Sequence, residues 1–283
     1  MVRFVEWSFY TRKLSAPTIK SYVSNIATLH KLNGLEEKFS SNFVLKTAIR
    51  GIENLSLNTR NSHTQRKAMT LHLLKILGHE VARKNWSKDS KVVVWSAMCT
   101  AFFGSFRIGE LLAKTEFSYN PTEILVWENV KFLGDNSIQI VNKVSKNRTP
   151  GGEKIDLFPF PGSCCPVSAL KRLWNDLPHN RSQPVFRFTS GKLFTQKAFN
   201  EIIKECLVTR FGPKGLNYSG HSFRAGLPSA LSGSSWLNSE MAIKKWGRWN
   251  SNSFEKYVRL EHAAKKDLFK LFSEALLKDD TKS

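Results

Sequence analysis

Apolar positions set the first boundary of the chain. In SAPTIKSYVSNIATLHKLNG (15–34), Ile19, Tyr22, Ile26 and Leu29 recur at helical spacing and fall on one face. Ser15 is placed to cap this helix, Pro17 suits its first turn, and Asn33-Gly34 offers a left-handed stop. A second helix is expected over about residues 41–54, with Phe43, Val44, Ala48 and Ile52 turned inward. The pattern then dissolves into SLNTRNSHTQRK, which is polar, carries no acid and holds Arg60, Arg66 and Lys67. Such a stretch reads equally as a solvated loop or as a cationic linker that lies along a phosphate backbone.

Beyond this break the period lengthens, shortens and lengthens again. LHLLKILGHEVARK (71–84) is amphipathic at helical spacing, and KDSKVVVWSAMCTAFFGSF reads as a helix buried on every side. The runs ILVW (124–127), VKFL (130–133), SIQIV (137–141) and EKIDLF (153–158) read as short strands. Gly134-Asp135-Asn136 turns one pair of them and SKNRTPGG (145–152) the next. Helices return with PVSALKRLWNDL, TQKAFNEIIKECLVTRF and the segments around His221 and Tyr257. The fold class expected is mainly α with one small antiparallel β-sheet, in two domains covering residues 1–62 and 63–283. No internal repeat is evident.

Composition narrows the partners. A hydrophobic fraction of 41% with 20 Phe and 8 Trp can fill a core and excludes global disorder. Lys+Arg number 43 against 23 Asp+Glu, a formal net charge of +20 that favours a polyanion such as nucleic acid. A membrane is the weaker reading, because the uncharged stretch from Val92 to Phe106 is too short to cross a bilayer. MVRFVEWSFYTRK carries charges where a secretory signal would be apolar. Cys99, Cys164, Cys165 and Cys206 form no C-x-x-C spacing, so a reducing compartment is expected and zinc is not.

Four stretches carry chemistry. In KKWGRWNSNSFEKYVRL (244–260), Lys244, Lys245, Arg248, Lys256 and Arg259 crowd Tyr257, more cations than a core phenol needs. GHSFRAG (220–226) spaces His221 and Arg224 one helical turn apart, although H-x-x-R alone is more often an ordinary helix start. Within that helix Pro228 would bring no N–H to the carbonyl of Arg224. FRIGELL (106–112) ends the long uncharged stretch with Arg107, for which Glu110 is the plain helix partner. The turn between 143 and 152 carries Lys143, Lys146 and Arg148, either simply solvated or delivering a lysine to a leaving oxygen. Two arginines on a phosphate, a lysine or histidine as acid and a tyrosine as nucleophile constitute metal-free DNA transesterification. No acidic cluster suited to paired metals accompanies them.

The ordered set Arg107, Lys146, His221-x-x-Arg224 and Tyr257 resembles the tyrosine recombinase (phage integrase) family over about residues 15–275. The wording GHSFRAG, WGRW-x-S-x-x-F-x-x-Y and CPVSAL is most similar to recombinases of eukaryotic Crypton and DIRS mobile elements. The resemblance implies a two-domain DNA clamp, with a helical core-binding domain followed by a catalytic domain. It implies that Arg107 and Arg224 bind the scissile phosphate and that Lys146, with Lys143 as fallback, protonates the 5′ oxygen. His221 would share proton transfer, Glu110 would orient the site and Tyr257 would form the 3′-phosphotyrosine bond. Where many relatives place Gly-His this chain has Arg248; the packing role then passes to Trp249, with Arg248 an added phosphate contact. Thr18, Lys20, Ser21, Arg66 and Lys67 are the DNA contacts implied outside that centre. The expected partner is double-stranded DNA, with no cofactor, no metal and no membrane. A homotetramer on paired sites is expected through the helix at 263–277, whose Leu268, Leu271, Phe272 and Leu276 form a stripe. The eukaryotic resemblance implies a nuclear location. Two other readings stay open: a type IB topoisomerase-like enzyme, and a domesticated DNA-binding protein without cleavage.

Overall fold

The computed structural model describes residues 1–39, 41–59, 67–134, 136–143 and 151–231. By its internal contacts the chain separates into two compact units, Met1–Gln65 and Arg66–Ser283.

The first unit is built from α1 (Val2–Tyr10), α2 (Ala16–Leu32) and α3 (Phe43–Thr59). Helix α1 was not expected from the sequence. Its face of Val2, Val5 and Phe9 is short, and it stabilises nothing until Val5 is buried against α2 and α3. Helix α2 begins as anticipated, with the Ser15 hydroxyl accepting from the Thr18 N–H, and ends at Gly34 with φ +67. Its buried stripe, however, is Ala16, Ile19, Val23 and Ala27, whereas Tyr22 and Leu29 are exposed. Helix α3 corrects the expectation more strongly. Asn42 caps it by accepting from the Leu45 N–H, which sets the phase so that Leu45 and Ile52 are buried. Phe43 and Val44, expected inside, lie on the outer face, 80% and 59% exposed. The helix also runs to Thr59, so the polar stretch begins later than its composition implied.

The second unit is organised around α5 (Lys88–Phe103). Val93, Ala97, Met98, Cys99, Ala101 and Phe102 are each almost wholly removed from water, so the helix is apolar around its circumference and must be a central element. Helices α4 (Leu71–Arg83) and α7 (Pro166–Asp176) pack on it, each started by a side-chain cap: Thr70 for α4 and Cys165 for α7. Full burial of one Phe or Leu stabilises by about 1.5–3 kcal/mol, which makes this cluster the main source of cohesion in the unit. Short helix α6 (Ile108–Leu111) follows α5, and α8 (Gln196–Phe211) and α9 (Gly220–Leu231) are the last helices among the described residues.

The sheet has three antiparallel strands in the order β1 (Val130–Phe132), β2 (Ile138–Asn142) and β3 (Glu153–Leu157). Ile138 faces Leu157 and Ile140 faces Ile155, so one side of the ribbon is buried. Its alternation was legible, because period two matches the pleat. The run 124–127 is not a fourth strand of this sheet. Its backbone pairs with 183–185, Trp127 N–H donating to Gln183 and Val185 N–H to Leu125, and it ends in a 3-10 turn. An apolar run buried on both sides carries no mark of which neighbour it pairs with.

Candidate active site

The site begins where α5 stops. Gly104 follows its last turn, and a side chain there would place Cβ 2.3 Å from a Phe106 ring carbon. The ring therefore folds back over the glycine, and Ser105 takes the left-handed conformation at φ +47, a strained state for a residue with Cβ. This reversal delivers Arg107 to the start of α6. There Glu110 grips it twice, one carboxylate oxygen accepting the backbone N–H and the other the guanidinium, both at 2.9 Å. Glu110 is 4% exposed, and the Arg107 side chain 36%. The arginine is thus held by Glu110 at its backbone N–H and at one guanidinium nitrogen, while its side chain stays partly exposed.

Helix α9 brings the second half. Ser219 and Ser222 exchange hydrogen bonds across its first turn, and the Gly220 N–H donates to Asn200 Oδ1 on α8 at 2.8 Å. Gly220 is required by its neighbour: a Cβ would stand 2.2 Å from Ile108 Cγ1, so the start of α9 presses directly on α6. Gly226, deeper in the helix, lies equally close to the Phe102 ring and the Met69 carbonyl. His221 is exposed on the first turn, whereas Arg224 is buried at 2%. Arg224 Nη1 donates to the Ser105 carbonyl at 2.8 Å across 119 residues of sequence. The helix continues through Pro228 to Leu231.

The arginine turn and the histidine-arginine helix, far apart in sequence, are therefore one structural feature. A guanidinium offers five N–H donors in a planar fork, matched to the oxygens of a phosphate or carboxylate. Buried arginine in a dry setting is worth more to an anion than arginine in water, since the local dielectric is lower. Among the described residues no three His, Cys, Asp or Glu side chains gather to hold a metal ion, and no helix is long and apolar enough to cross a membrane.

The other expected residues divide. Lys143 is exposed at the end of β2, with Nζ 3.1 Å from Glu128 Oε1. Thr18 shares a hydrogen bond with Ser15, Lys20 pairs with Glu53 on α3 at 3.4 Å, and Ser21 is exposed. Lys67 is half-buried, its N–H donating to the Asn217 carbonyl. Arg66, Lys146, Arg148, Arg248, Trp249, Tyr257 and the stripe of 263–277 lie outside the described residues. Ser105 was missed by sequence reading, because a main-chain carbonyl and a positive φ leave no mark on residue type.

No protein-family model and no curated protein sequence matches this chain. Solved structures do. XerH site-specific recombinase, in a post-cleavage complex with palindromic difH substrate, is 18% identical at TM-score 0.58, covering 96% of this chain and 71% of that one. The Tn1549 transposon integrase in complex with circular intermediate DNA is 14% identical at TM-score 0.58, with 96% of this chain and 84% of that one covered. The same integrase with transposon right-end DNA is 13% identical at TM-score 0.58 over the same shares. Identity this low with coverage this broad shows a shared fold: mainly helical, holding a small antiparallel sheet.

Proposed function

We propose that this protein is a site-specific DNA recombinase that cuts and rejoins strands through a 3′-phosphotyrosine. The observation that carries the reading is the hydrogen bond from Arg224 to the Ser105 carbonyl, which ties the helix bearing His221 to the turn two residues before Arg107. That both fold neighbours were captured on DNA, as a recombinase and a transposon integrase, supports the same class of substrate.

In this mechanism Arg107 and Arg224 hold the nonbridging oxygens of the scissile phosphate. Glu110 keeps Arg107 extended toward it. The phenol oxygen of Tyr257 attacks phosphorus, forming a P–O bond to tyrosine, while the bond to the 5′ oxygen breaks. Lys146 protonates that departing oxygen, and His221 takes part in moving the phenolic proton. Lys143, whose ammonium faces Glu128, is the fallback. Rejoining is the reverse step with a new 5′ hydroxyl, so the phosphotyrosine retains the bond and the reaction calls for no nucleotide cofactor and no metal. Trp249 and Arg248 pack and support the phosphate. Thr18, Lys20, Ser21, Arg66 and Lys67 contribute backbone contacts, with the helical unit and the catalytic unit clamping the duplex. The resemblance to Crypton and DIRS recombinases supports integration or excision of a mobile element, a tetramer on paired sites and a nuclear setting.

Covalent trapping tests the reading. Nicked or phosphorothiolate-bearing duplexes carrying candidate sites are incubated with the protein without added metal, beside Tyr257→Phe. A protein–DNA adduct on a denaturing gel that disappears in Y257F is the expected result. An adduct that persists in Y257F removes Tyr257 as nucleophile, and specific DNA binding without any adduct points to a protein that has kept only the clamp.

A further inference from the structure

We infer that Asn200, with Gln196 one turn before it, is a positioning residue that sets the spacing between the arginine turn and the histidine helix. Neither residue was singled out in the sequence. Both lie on the first turns of α8, half-buried, on the side that meets α6 and α9.

The geometry is a two-rung spacer. Gln196 reaches toward the arginine turn: its Nε2 donates to the Leu112 carbonyl at 3.1 Å and its backbone N–H to the Ala113 carbonyl at 3.0 Å. Its amide also lies over Gly109, two residues after Arg107 and immediately before Glu110. Asn200 reaches toward the histidine helix, with Oδ1 accepting the Gly220 N–H at 2.8 Å. Its Nδ2 donates to the Gln196 carbonyl, also at 2.8 Å, so the two rungs are linked. Gly220 is the residue immediately before His221 and is pressed on Ile108, immediately after Arg107. The side chain of Asn200 therefore holds the N–H of the residue before His221, on a helix whose next turn carries Arg224.

An N–H at the first residue of a helix has no partner within the helix. An N-cap Ser, Thr or Asp just upstream accepts from the second or third helical N–H rather than from the first. Here the partner comes from 20 residues earlier on a different helix, so satisfying Gly220 also fixes where α9 starts relative to α8. Water would satisfy the same N–H without transmitting position. Asn is also the residue whose amide can accept at one end and donate at the other. Alanine removes both bonds, whereas aspartate retains the acceptor for Gly220 and loses only the link to Gln196.

This inference rests on the recombinase reading for its effect on rate, but its structural half does not. The experiment compares wild type, Asn200→Ala, Asn200→Asp and Leu173→Ala, the last a change at a buried core position on α7, chosen to lower stability on a helix other than α8 and α9. Amide exchange at Gly220 is followed alongside covalent trapping on the suicide duplex. A shift of His221 by about an ångström predicts adduct formation slowed about 30-fold in N200A, with DNA affinity within about threefold of wild type. N200D recovers most of the rate. L173A, at the same melting temperature as N200A, does not show the loss. Exchange at Gly220 quickens about fivefold in N200A, as expected for one lost hydrogen bond. Trapping at the wild-type rate in N200A overturns the inference, and so does a loss no greater than that of L173A at matched melting. If wild type traps no DNA at all, the recombinase reading fails, and Gly220 exchange alone decides the spacer: quickened it stands, unchanged it falls.

Discussion

Ser105 sits at φ +47 because the chain must reverse between a fully buried helix and an arginine that has to reach solvent. Arg224 donates to the carbonyl of that residue, so the strain is held by a charge-assisted hydrogen bond made by a second site residue. Glu110 acts in the same way on Arg107, taking both its main-chain and its side-chain donor. Residue-scale chemistry also sets a pH limit. Burial pushes the Cys206 thiol up to about 11 and raises Cys99 as well, against an ordinary thiol near 9. The unfolded chain then ionises first as pH rises, so this stability is complete below about pH 9 and is lost as pH climbs toward 11. The contribution of Cys206 is about 2–3 kcal/mol when fully expressed. Urea denaturation of wild type and Cys206→Ala between pH 7.5 and 10.5 measures it: the variant is expected to be weaker at neutral pH but flatter in its decline. Parallel declines would mean that Cys206 is not the group responsible.

At the scale of elements, the contact of α9 with α6 and α5 is made through glycines. Gly220→Ala forces a Cβ into Ile108, and Gly226→Ala forces one into the Phe102 ring and the Met69 carbonyl. Overpacking of this kind costs about 1–3 kcal/mol. The two cases should differ in how they are relieved, because Ile108 is a side chain and the Met69 carbonyl is backbone. Pairing Gly220→Ala with Ile108→Ala is expected to recover at least about 1 kcal/mol relative to the sum of the single changes, read as a coupling in a double-mutant cycle. Additive losses would show that α9 can slide away from α6. The element scale is also where sequence reading was least reliable. Helices with strong caps or unbroken apolar runs were legible, including α2, α4, α5, α7 and α8. The inner face of α3 was not, because apolar residues occur on both sides of it and the cap at Asn42 decides which are buried.

At the scale of the whole molecule the dominant quantity is charge. A chain with a formal net charge of +20 that docks on duplex DNA should release counterions in proportion to the phosphates it neutralises. Contact with about eight phosphates gives a slope near −7 for log affinity against log salt, measured by fluorescence anisotropy between 100 and 400 mM NaCl. A slope shallower than about −3 would leave most of the surplus charge without a role in DNA binding. The charge does not choose a site on the duplex, since phosphate contacts are alike in every sequence.

What the sequence determined by itself was periodicity, punctuation and the identity of reactive side chains. These were enough for a mainly helical fold with a small antiparallel sheet, and they put forward Arg107, Glu110, His221 and Arg224 as candidates. All are local properties, carried within a turn or two of chain. The tertiary structure alone decided which apolar face of α3 is buried, that 124–127 pairs with 183–185, and that Ser105 receives Arg224. It also decided that Asn200 holds the start of α9. Each of these depends on what lies opposite in space, and residue type at one position carries no record of a partner that folding brings from a hundred residues away.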